Sequence, residues 1–224
     1  MYSYFFKRFF DIIFSSIAIL ILLPFLIPIC IILLLTGEHE VFYFQKRIGF
    51  KNKTFFIWKF ATMLKISPNI GNGFLTTLND PRVLPFGKFL RKTKINELPQ
   101  IINIIKGEMS IVGPRPLVDK TFDPYPDHIK KNIYNVKPGL TGIGSIVFRD
   151  EERLFSESTL SAAEFYAQYI SPYKGELEFW YQKHLSFYTD FMLIFLTALI
   201  IFKPKSDLIY KIFKDLPEKP EKLK

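Results

Sequence analysis

One long uncharged segment near the N-terminus limits how this chain can fold. No charged residue occurs from Ile12 to Leu35, a run of 24 residues. At a rise of ~1.5 Å per residue, a helix over this run is longer than the ~30 Å hydrocarbon layer of a membrane. The run predicts a membrane element attached to what is otherwise a single domain in a chain of 224 residues.

The residues in and around this run favour a hairpin. Pro24 and Pro28 lie in its middle, and each removes a backbone donor and bends a helix. Basic residues flank both of its ends, so positive charge does not orient a span: Lys7, Arg8, Lys46, Arg47, Lys51 and Lys53. We predict a re-entrant helix-break-helix hairpin over residues 1–40. A kinked single span remains the alternative, while a signal peptide is disfavoured because no small-x-small cleavage site follows.

The composition points toward a membrane surface. The net charge is +9, yet 49% of the residues are hydrophobic and 25 of them are phenylalanine. A chain that is both basic and strongly apolar suits an anionic lipid surface better than nucleic acid, so no nucleic-acid partner is expected. The single cysteine, Cys30, lies in the apolar run and excludes an intramolecular disulfide.

The segment from Arg91 to Pro116 contains a helix pattern. Its apolar residues recur at i, i+3, i+4 and i+7: Leu98, Ile101, Ile102 and Ile105. This spacing predicts an amphipathic helix from Glu97 to Lys106 with one buried stripe. Asn96 or Thr93 is expected to cap its start, and Gly107 is expected to end it.

Basic residues cluster before this helix. Five occur between positions 82 and 94 with no acid among them: Arg82, Lys88, Arg91, Lys92 and Lys94. Arg115 follows the helix between two prolines, which stiffen its backbone. A helix N-terminus surrounded by cations is typical of an anion-binding site.

Other patterns predict a hairpin and a loop. Aromatic and β-branched residues on both sides of the polar GFKNK predict a β-hairpin from Val41 to Phe60 at the membrane surface. The loop from Leu64 to Pro81, which is rich in glycine, proline and asparagine, is expected to be mobile and able to close over a ligand.

Helices are predicted over most of the C-terminal half. A short one is expected near Ile129, and two longer ones over Ser158–Ile170 and Tyr173–Leu185, separated by Ser171-Pro172. The twelve apolar residues from Phe191 to Phe202 are too few to span a membrane, so a helix in the core or at the interface is expected there.

Several motifs resemble one family. LRKT, ELPQ and KGEMSIVGPRPL resemble, in order and spacing, the bacterial sugar transferases, the monotopic phosphoglycosyl transferases that move a sugar phosphate from a nucleotide diphosphate sugar to polyprenol phosphate. FQKRIG and WKFATM resemble the family's pair of strands. VKPGLTGIG resembles its PGLTGxxQ turn, in which glycines let the backbone approach a ligand. The resemblance runs from Phe6 to Asp190.

The resemblance implies an α+β fold. A mostly helical cytoplasmic domain with a small β-hairpin would be anchored by the N-terminal re-entrant membrane hairpin and by interfacial amphipathic helices. The expected organisation is the hairpin at residues 1–40, the catalytic-type domain at residues 41–205, and an amphipathic segment with a charged, disordered tail at residues 206–224.

It also implies a site for phosphate and metal. Four cations would neutralise the diphosphate of the substrate: Lys59, Arg91, Arg115 and Arg149. Glu97 would bind Mg²⁺, which prefers oxygen ligands. Without the resemblance, Lys59 is equally explained as a solvated strand charge. The acidic triplet Asp150–Glu152 is better explained as a solvated helix start than as a metal site.

One residue departs from the family's pattern at its reactive position. The family has an Asp-Glu pair before LPQ, in which Asp is the nucleophile that takes the phosphosugar, and Asn96 stands in its place. A neutral amide is a very poor nucleophile, so the resemblance supplies no nucleophile here. Ala61 and Glu178 also differ, where the family usually has Arg and Asp.

Two functions therefore remain open. The first is a transferase at the cytoplasmic face of the inner membrane, which moves sugar-1-phosphate from a UDP-sugar to polyprenyl phosphate and initiates glycan assembly. The second is a catalytically silent member that binds substrate, lipid or an active paralogue, as a homo-dimer or a hetero-dimer. An engineered Asp→Asn exchange would also place an amide at position 96, but the several simultaneous departures indicate a natural divergent subgroup.

Overall fold

The computed structural model describes residues 4–67, 80–202 and 207–223. The turn residues of the predicted ligand-covering loop lie outside these ranges: Pro68, Asn69, Gly71, Asn72 and Gly73. The α-helices are α1 Tyr4–Leu35, α2 Pro85–Lys92, α3 Ile101–Lys106, α4 Asp119–Phe122, α5 Asp127–Asn132, α6 Ile143–Val147, α7 Glu151–Glu157, α8 Ala162–Phe165, α9 Ser171–Lys183, α10 Phe187–Phe202 and α11 Leu208–Ile212. The strands are β1 Phe42–Ile48, β2 Thr54–Phe60, β3 Ser110–Val112 and β4 Gly139–Thr141, in two small sheets.

The N-terminal apolar run forms one continuous helix, α1. Pro24 and Pro28 lie inside it, so the predicted break between two helices is not formed. A proline removes one backbone hydrogen bond and bends a helix, but it does not end the helix when the residues on both sides remain helical. By its length and composition, α1 is able to cross a membrane.

Both ends of α1 contact the rest of the protein. Near its C-terminal end, Leu33 is buried and packs in one cluster with Phe60 of β2 and Leu90 of α2. Near its N-terminal end, the Lys7 ammonium donates hydrogen bonds to the Asp190 carboxylate (2.6 Å) and to the Tyr181 hydroxyl (3.0 Å). The apolar stretch between these two contacts is mostly exposed.

The predicted β-hairpin is confirmed. β1 pairs with β2 in antiparallel register, with Tyr43 opposite Lys59 and Arg47 opposite Phe55. Because side chains alternate between the two faces of a strand, these four residues share one face. The Lys59 side chain on this face reaches Glu97, which follows α2 in the chain.

The predicted amphipathic helix is also present, but its buried face differs. It begins as a 3₁₀ helix, Ile95–Gln100, continues as α3, and ends at Gly107 in the left-handed conformation (φ 88°), as predicted. The predicted stripe is correct at Ile101, which is buried, but wrong at Ile105, which is 40% exposed, and Ile104 outside the stripe is buried instead. A 3₁₀ helix has 3.0 residues per turn, so it rotates the apolar face away from the phase expected for 3.6 residues per turn.

Neither predicted cap is used. Lys94, in the left-handed conformation (φ 60°), precedes the 3₁₀ helix, and no side chain caps that helix. The Thr93 hydroxyl instead donates to the Phe89 and Leu90 carbonyls at the end of α2. Thr93 therefore belongs to the helix before the turn, and Asn96 lies inside the helix after it.

β3 and β4 form a parallel pair whose backbones are in close contact at glycines. A Cβ atom on Gly139 would lie 2.1 Å from the Gly113 nitrogen, and a Cβ atom on Gly142 would lie 2.1 Å from the Gly113 oxygen. These glycines let two chain segments approach each other, and the approach of a ligand to them stays a prediction. Because Arg115 follows Gly113 by two residues, this contact fixes where Arg115 leaves the sheet.

The two helices predicted in the C-terminal half are joined. A π-helical turn, Tyr166–Ile170, connects α8 to α9 without a break. The separation predicted at Ser171-Pro172 is therefore wrong. Pro172 lies in the first turn of α9, where the missing N–H of a proline is tolerated next to the wider π turn.

α10 and the C-terminal segment complete the main core. α10 buries Leu193 in the core, which confirms the predicted core helix, and exposes Phe191. α11 confirms the last predicted amphipathic helix. The disorder predicted after Pro217 is wrong, because Leu223 is 1% exposed in the core. The residues just before this tail are held to α9 by hydrogen bonds from Trp180 Nε1 to Asp215 (2.9 Å) and from the Tyr173 hydroxyl to the Pro217 carbonyl (2.9 Å).

Candidate active site

Three charged side chains from separate parts of the chain meet at one point. The Glu97 carboxylate accepts hydrogen bonds at Oε1 from Lys59 Nζ (3.2 Å) and Arg115 Nη2 (2.7 Å), and at Oε2 from Arg115 Nη1 (3.3 Å). The side chains of Lys59 and Glu97 are each 14% exposed, and that of Arg115 is 33% exposed. We call these three residues the Glu97 cluster. All three were candidate site residues from the sequence, and the fold brings them together.

The backbone of Arg115 is held in place. Arg115 lies between Pro114 and Pro116, whose rings restrict the chain. The buried Tyr134 hydroxyl donates to the Arg115 carbonyl (2.8 Å) and accepts from the Leu117 amide (2.9 Å). These contacts fix the backbone from which the Arg115 guanidinium reaches Glu97.

Burial and neighbouring charges shift the pKa values in this cluster. Burial lowers the pKa of Lys59 to about 7, although the Glu97 carboxylate opposes the shift. Burial alone would raise the pKa of Glu97, but Arg115 and Lys59 hold it well below its usual value. Glu97 therefore stays ionised at neutral pH, whereas Lys59 changes its charge there.

Arg47, which sequence reasoning missed, faces the same cluster. Its guanidinium donates to the Pro116 carbonyl (Nη1, 3.2 Å) and to Gln45 Oε1 (Nη2, 2.5 Å), while Nε is buried without a hydrogen-bond partner in the described part of the chain. Burial, followed by repulsion from Arg115, lowers the pKa of Arg47 to about 10, so it remains charged at neutral pH. The strand alternation that places Arg47 on the face of Lys59 was a signal that could have found it.

The other two predicted cations lie at the ends of helices. Arg91, in the last turn of α2, donates from Nη1 to the Met63 sulfur (3.6 Å). Arg149 is half-buried and lies just beyond the end of α6. The largest charge effects on Glu97 come from three other cations: Arg115, Lys59 and Lys94. The role of Arg91 and Arg149 in binding phosphate stays a prediction.

Asn96, which precedes Glu97, is buried. The residue is 6% exposed, and its Oδ1 has no hydrogen-bond partner among residues 4–67, 80–202 and 207–223. A buried acceptor left unpaired costs about 1–3 kcal/mol, and such exceptions call for an explanation such as a functional role. The position of the family's nucleophile thus holds an unpaired oxygen acceptor.

A second group of buried charges lies on α9. Lys174 forms an ion pair with Glu151 (2.9 Å), so Glu151 is not the solvated residue expected at the start of a helix. Glu178, four residues after Lys174, is 1% exposed, and neither of its carboxylate oxygens makes a hydrogen bond of good geometry within the described chain. Burial raises the pKa of Glu178 to about 7, although Lys174 and the nearby N–H groups of Gly144 and Arg115 oppose the shift. This group adjoins the Glu97 cluster through Arg115.

The oxygen atoms present suit a magnesium ion that also binds substrate. Mg²⁺ is usually held by one or two carboxylates, with water and substrate phosphates completing its coordination. Glu97 offers a carboxylate, and Asn96 offers the unpaired amide oxygen. No group of three or more acidic, histidine or cysteine side chains with metal-binding geometry occurs in the part of the chain that the structure describes. The protein would therefore hold the ion together with phosphate oxygens.

The fold and the site define a helix-rich domain that carries buried cations around one carboxylate and is joined to a long apolar N-terminal helix. The sequence profile of the bacterial sugar transferase family matches residues 2–204. The chain belongs to this family.

Several curated relatives are similar over much of this chain. It is 36% identical to the exopolysaccharide production protein ExoY of Rhizobium meliloti (strain 1021) over 159 residues, which are 65% of this chain and 70% of that protein. It is 35% identical to the UDP-glucose:undecaprenyl-phosphate glucose-1-phosphate transferase of Escherichia coli (strain K12) over 187 residues, 83% of this chain and 39% of that protein. A protein of the same name from Klebsiella pneumoniae is 38% identical over 143 residues, 63% of this chain and 30% of that protein. The chain thus spans most of ExoY but less than half of the two transferases.

The pKa of Lys59 predicts how ligand binding depends on pH. Only the protonated lysine attracts a phosphate, and the phosphates of UDP are fully ionised above pH ~7. The affinity for UDP should therefore fall as the pH rises from about 7 to about 9, by up to about tenfold per pH unit. Lys59→Arg keeps its charge over this range, so its affinity should be nearly independent of pH. Calorimetric titration with UDP at several pH values measures both profiles.

Lys46→Arg is the matched control for this experiment. Lys46 is exposed on the opposite face of the same hairpin, so this variant should keep the wild-type pH dependence. A wild-type pH dependence in Lys59→Arg would contradict the prediction and would assign the titration to another group, such as Glu178.

Proposed function

We propose that this chain is a phosphoglycosyl transferase that moves sugar-1-phosphate from a UDP-sugar to polyprenyl phosphate and so initiates the assembly of a polysaccharide or glycoconjugate. The observation that carries the proposal is the Glu97 cluster, which lies within the residues that the family profile matches. The names of the relatives from E. coli and K. pneumoniae state such a transfer for those proteins. Names of other relatives state galactose or N-acetylgalactosamine, so we do not propose a particular sugar.

The cluster suits this reaction because phosphoryl transfer depends mainly on positioning and on charge stabilisation. Lys59, Arg115 and Arg47 offer three cations next to one carboxylate, so a bound diphosphate would balance the charge. Glu97 would hold Mg²⁺, which shields the phosphate charge when it is bound. Two further cations are proposed to contact the same phosphates: Arg91 and Arg149.

The amide at position 96 supports a second candidate function. In the covalent route that the family implies, a carboxylate oxygen attacks the sugar-bearing phosphorus, the bond to UMP breaks, and polyprenyl phosphate then takes the phosphosugar from the enzyme. Asn96 supplies no oxyanion for the first step. A silent member would bind substrate, lipid or an active paralogue in a dimer. Direct attack of polyprenyl phosphate on the bound UDP-sugar is the other route to turnover.

Restoring the carboxylate separates these possibilities. We expect low or no UMP release by the unmodified protein and a gain of at least about 100-fold in Asn96→Asp, because loss of a nucleophile costs several orders of magnitude in rate. The assay measures UMP release from UDP-glucose, UDP-galactose and UDP-N-acetylgalactosamine with polyprenyl phosphate. Mass spectrometry should detect a trapped phosphosugar on the Asp variant only.

Asn96→Ala is the control, since it removes the amide without adding a carboxylate and should show no gain. Rapid turnover by the unmodified protein together with no gain in Asn96→Asp would contradict the covalent route and favour direct attack. UDP-sugar binding without UMP release in either protein would favour the silent member.

The proposed metal site predicts a loss of magnesium dependence. Glu97→Gln should abolish the increase in UDP affinity that Mg²⁺ causes, because an amide is a weak ligand for this ion. The same change should lower the stability by about 1–3 kcal/mol, since it leaves two partly buried cations without their carboxylate. Titration of UDP with and without Mg²⁺ and thermal melting measure these effects. Glu108→Gln, at the far end of α3, should keep the magnesium effect, and an unchanged effect in Glu97→Gln would rule out this ligand.

We also propose that α1 enters the membrane from the cytoplasmic face and returns to it. Its two ends both contact the same domain, through Lys7 at one end and Leu33 at the other, and this supports placing both ends on one side. Pro24 and Pro28 allow the bend that such a path requires. Basic residues near both ends favour the cytoplasmic side.

Cysteine labelling tests this topology. In a Cys30→Ser background, Tyr4→Cys and Glu40→Cys should both react with a membrane-impermeant maleimide in inverted vesicles. Neither variant should react in intact cells. Lys131→Cys, exposed on the domain, marks the cytoplasmic side. Labelling of Tyr4→Cys and Glu40→Cys from opposite sides would establish a single span instead.

A further inference from the structure

One turn of α1 contacts two of the three chain segments that carry the Glu97 cluster, namely those of Glu97 and Arg115. Arg8 donates from Nη1 to the Ile104 carbonyl (2.5 Å) and from Nη2 to the Ile105 carbonyl (2.7 Å). These carbonyls belong to the last turn of α3, and the Ile104 carbonyl also accepts from the Gly107 N–H (2.9 Å). Arg8 thus holds the far end of the helical segment that begins near Glu97.

Asp11, less than one turn further along α1, holds the other segment. Its Oδ1 accepts hydrogen bonds from Ser110 Oγ (3.0 Å) and from the Ile111 N–H (2.9 Å). Both donors belong to β3, which leads within four residues to Arg115. Asp11 is itself 5% exposed, so water does not readily replace these bonds.

We propose that Arg8 and Asp11 are positioning residues of the candidate active site, which set the separation of Glu97 and Arg115 through α3 and β3. The first turns of α1 are then part of the scaffold of the site and not only of its attachment to the membrane. The positioning role of Arg8 and Asp11 is argued from contacts within this chain alone. Their effect on ligand binding rests on the function proposed above.

The lengths involved make the site sensitive to this contact. Seven residues separate Glu97 from Ile104, which is about 10 Å along a helix. A rotation of roughly 10° about the C-terminal end of α3 would move the start of the segment by about 2 Å, which exceeds the range of a hydrogen bond to Arg115. A displacement of about 1 Å is enough to cost about 100-fold in processes that depend on positioning.

Lys7 provides a matched control one residue before Arg8. Its buried ammonium bonds to Asp190 at the start of α10 and to Tyr181 of α9, and among the described residues it makes no direct hydrogen bond to α3 or β3. Changing Lys7 weakens the attachment of α1 and removes no direct bond to either segment, while its partner Tyr181 keeps the hydroxyl that donates to the Val112 carbonyl of β3 (3.1 Å).

The test uses the full-length protein in lipid nanodiscs. Calorimetry measures the affinity for UDP with Mg²⁺, and thermal scans measure the melting temperature. Arg8→Gln and Asp11→Asn should each weaken UDP binding about tenfold. Ser110→Ala removes one of the two bonds to Asp11, so it should weaken binding less, and it serves if Asp11→Asn fails to fold. Lys7→Gln should lower the melting temperature and keep the affinity.

A readout without ligand keeps this inference separate from the proposed function. Hydrogen–deuterium exchange of the peptides that contain Glu97 and Arg115, followed by mass spectrometry, reports how firmly the two segments are held. Loss of the contacts of α1 with α3 and β3 should speed exchange in both peptides. Arg8→Gln and Asp11→Asn should show this increase, and Lys7→Gln should not.

Two results would overturn the inference. One is an equal loss of affinity and an equal increase in exchange in Lys7→Gln, which would make the attachment of α1 as a whole responsible. The other is an unchanged affinity and unchanged exchange in both Arg8→Gln and Asp11→Asn. A wild-type protein that does not bind UDP would count against the proposed function, and the exchange of the two peptides would still decide the positioning role.

Discussion

The contact of Glu97 with Arg115 and Lys59 is the interaction on which the rest of the site depends. Its partners come from a strand, a 3₁₀ helix and the segment after β3, and the carboxylate is the group that all of them share. Removing the carboxylate costs about 1–3 kcal/mol, because it leaves two partly buried cations without their partner. The three elements are therefore fixed to one another by a group that also faces the proposed substrate.

The Glu97 cluster contains more positive charge than its single carboxylate neutralises. In the folded protein Lys59 has a pKa of about 7, whereas in the unfolded chain it keeps its proton up to about 10.5. Between these pH values the unfolded state binds more protons, so the stability rises with pH, and the cost of charging Lys59 is fully present below pH 7. A bound phosphate removes that cost by supplying the missing negative charge. The folded protein is therefore less stable when the site is empty, and it regains this stability when an anion binds.

The sequence predicted which residues form this site better than it predicted the geometry of the helices and strands that carry them. The resemblance of the motifs to those of the family was sufficient to select Lys59, Glu97 and Arg115. The phase of the helix after Glu97 was wrong because no periodicity reveals that its first turns are 3₁₀. Arg47 and Lys174 escaped notice because their importance depends on which distant segments cover them, and local pattern does not contain that information. The same holds for Arg8, whose partners lie about 100 residues away at Ile104 and Ile105.

The amide at position 96 changes more than the supply of a nucleophile. A carboxylate there would add a second negative charge next to Glu97, and nearby negative charge favours the protonated form of a lysine. With Asn96 the cluster keeps its cations and has one anion fewer, which is consistent with a Lys59 that titrates near neutral pH. The unpaired Oδ1 of Asn96 fits the same view, because a position that suits a charged, metal-binding or phosphate-binding group leaves a neutral amide without a partner. The departure from the family's pattern therefore alters the charge balance that the substrate has to complete, in addition to the chemistry of the first step.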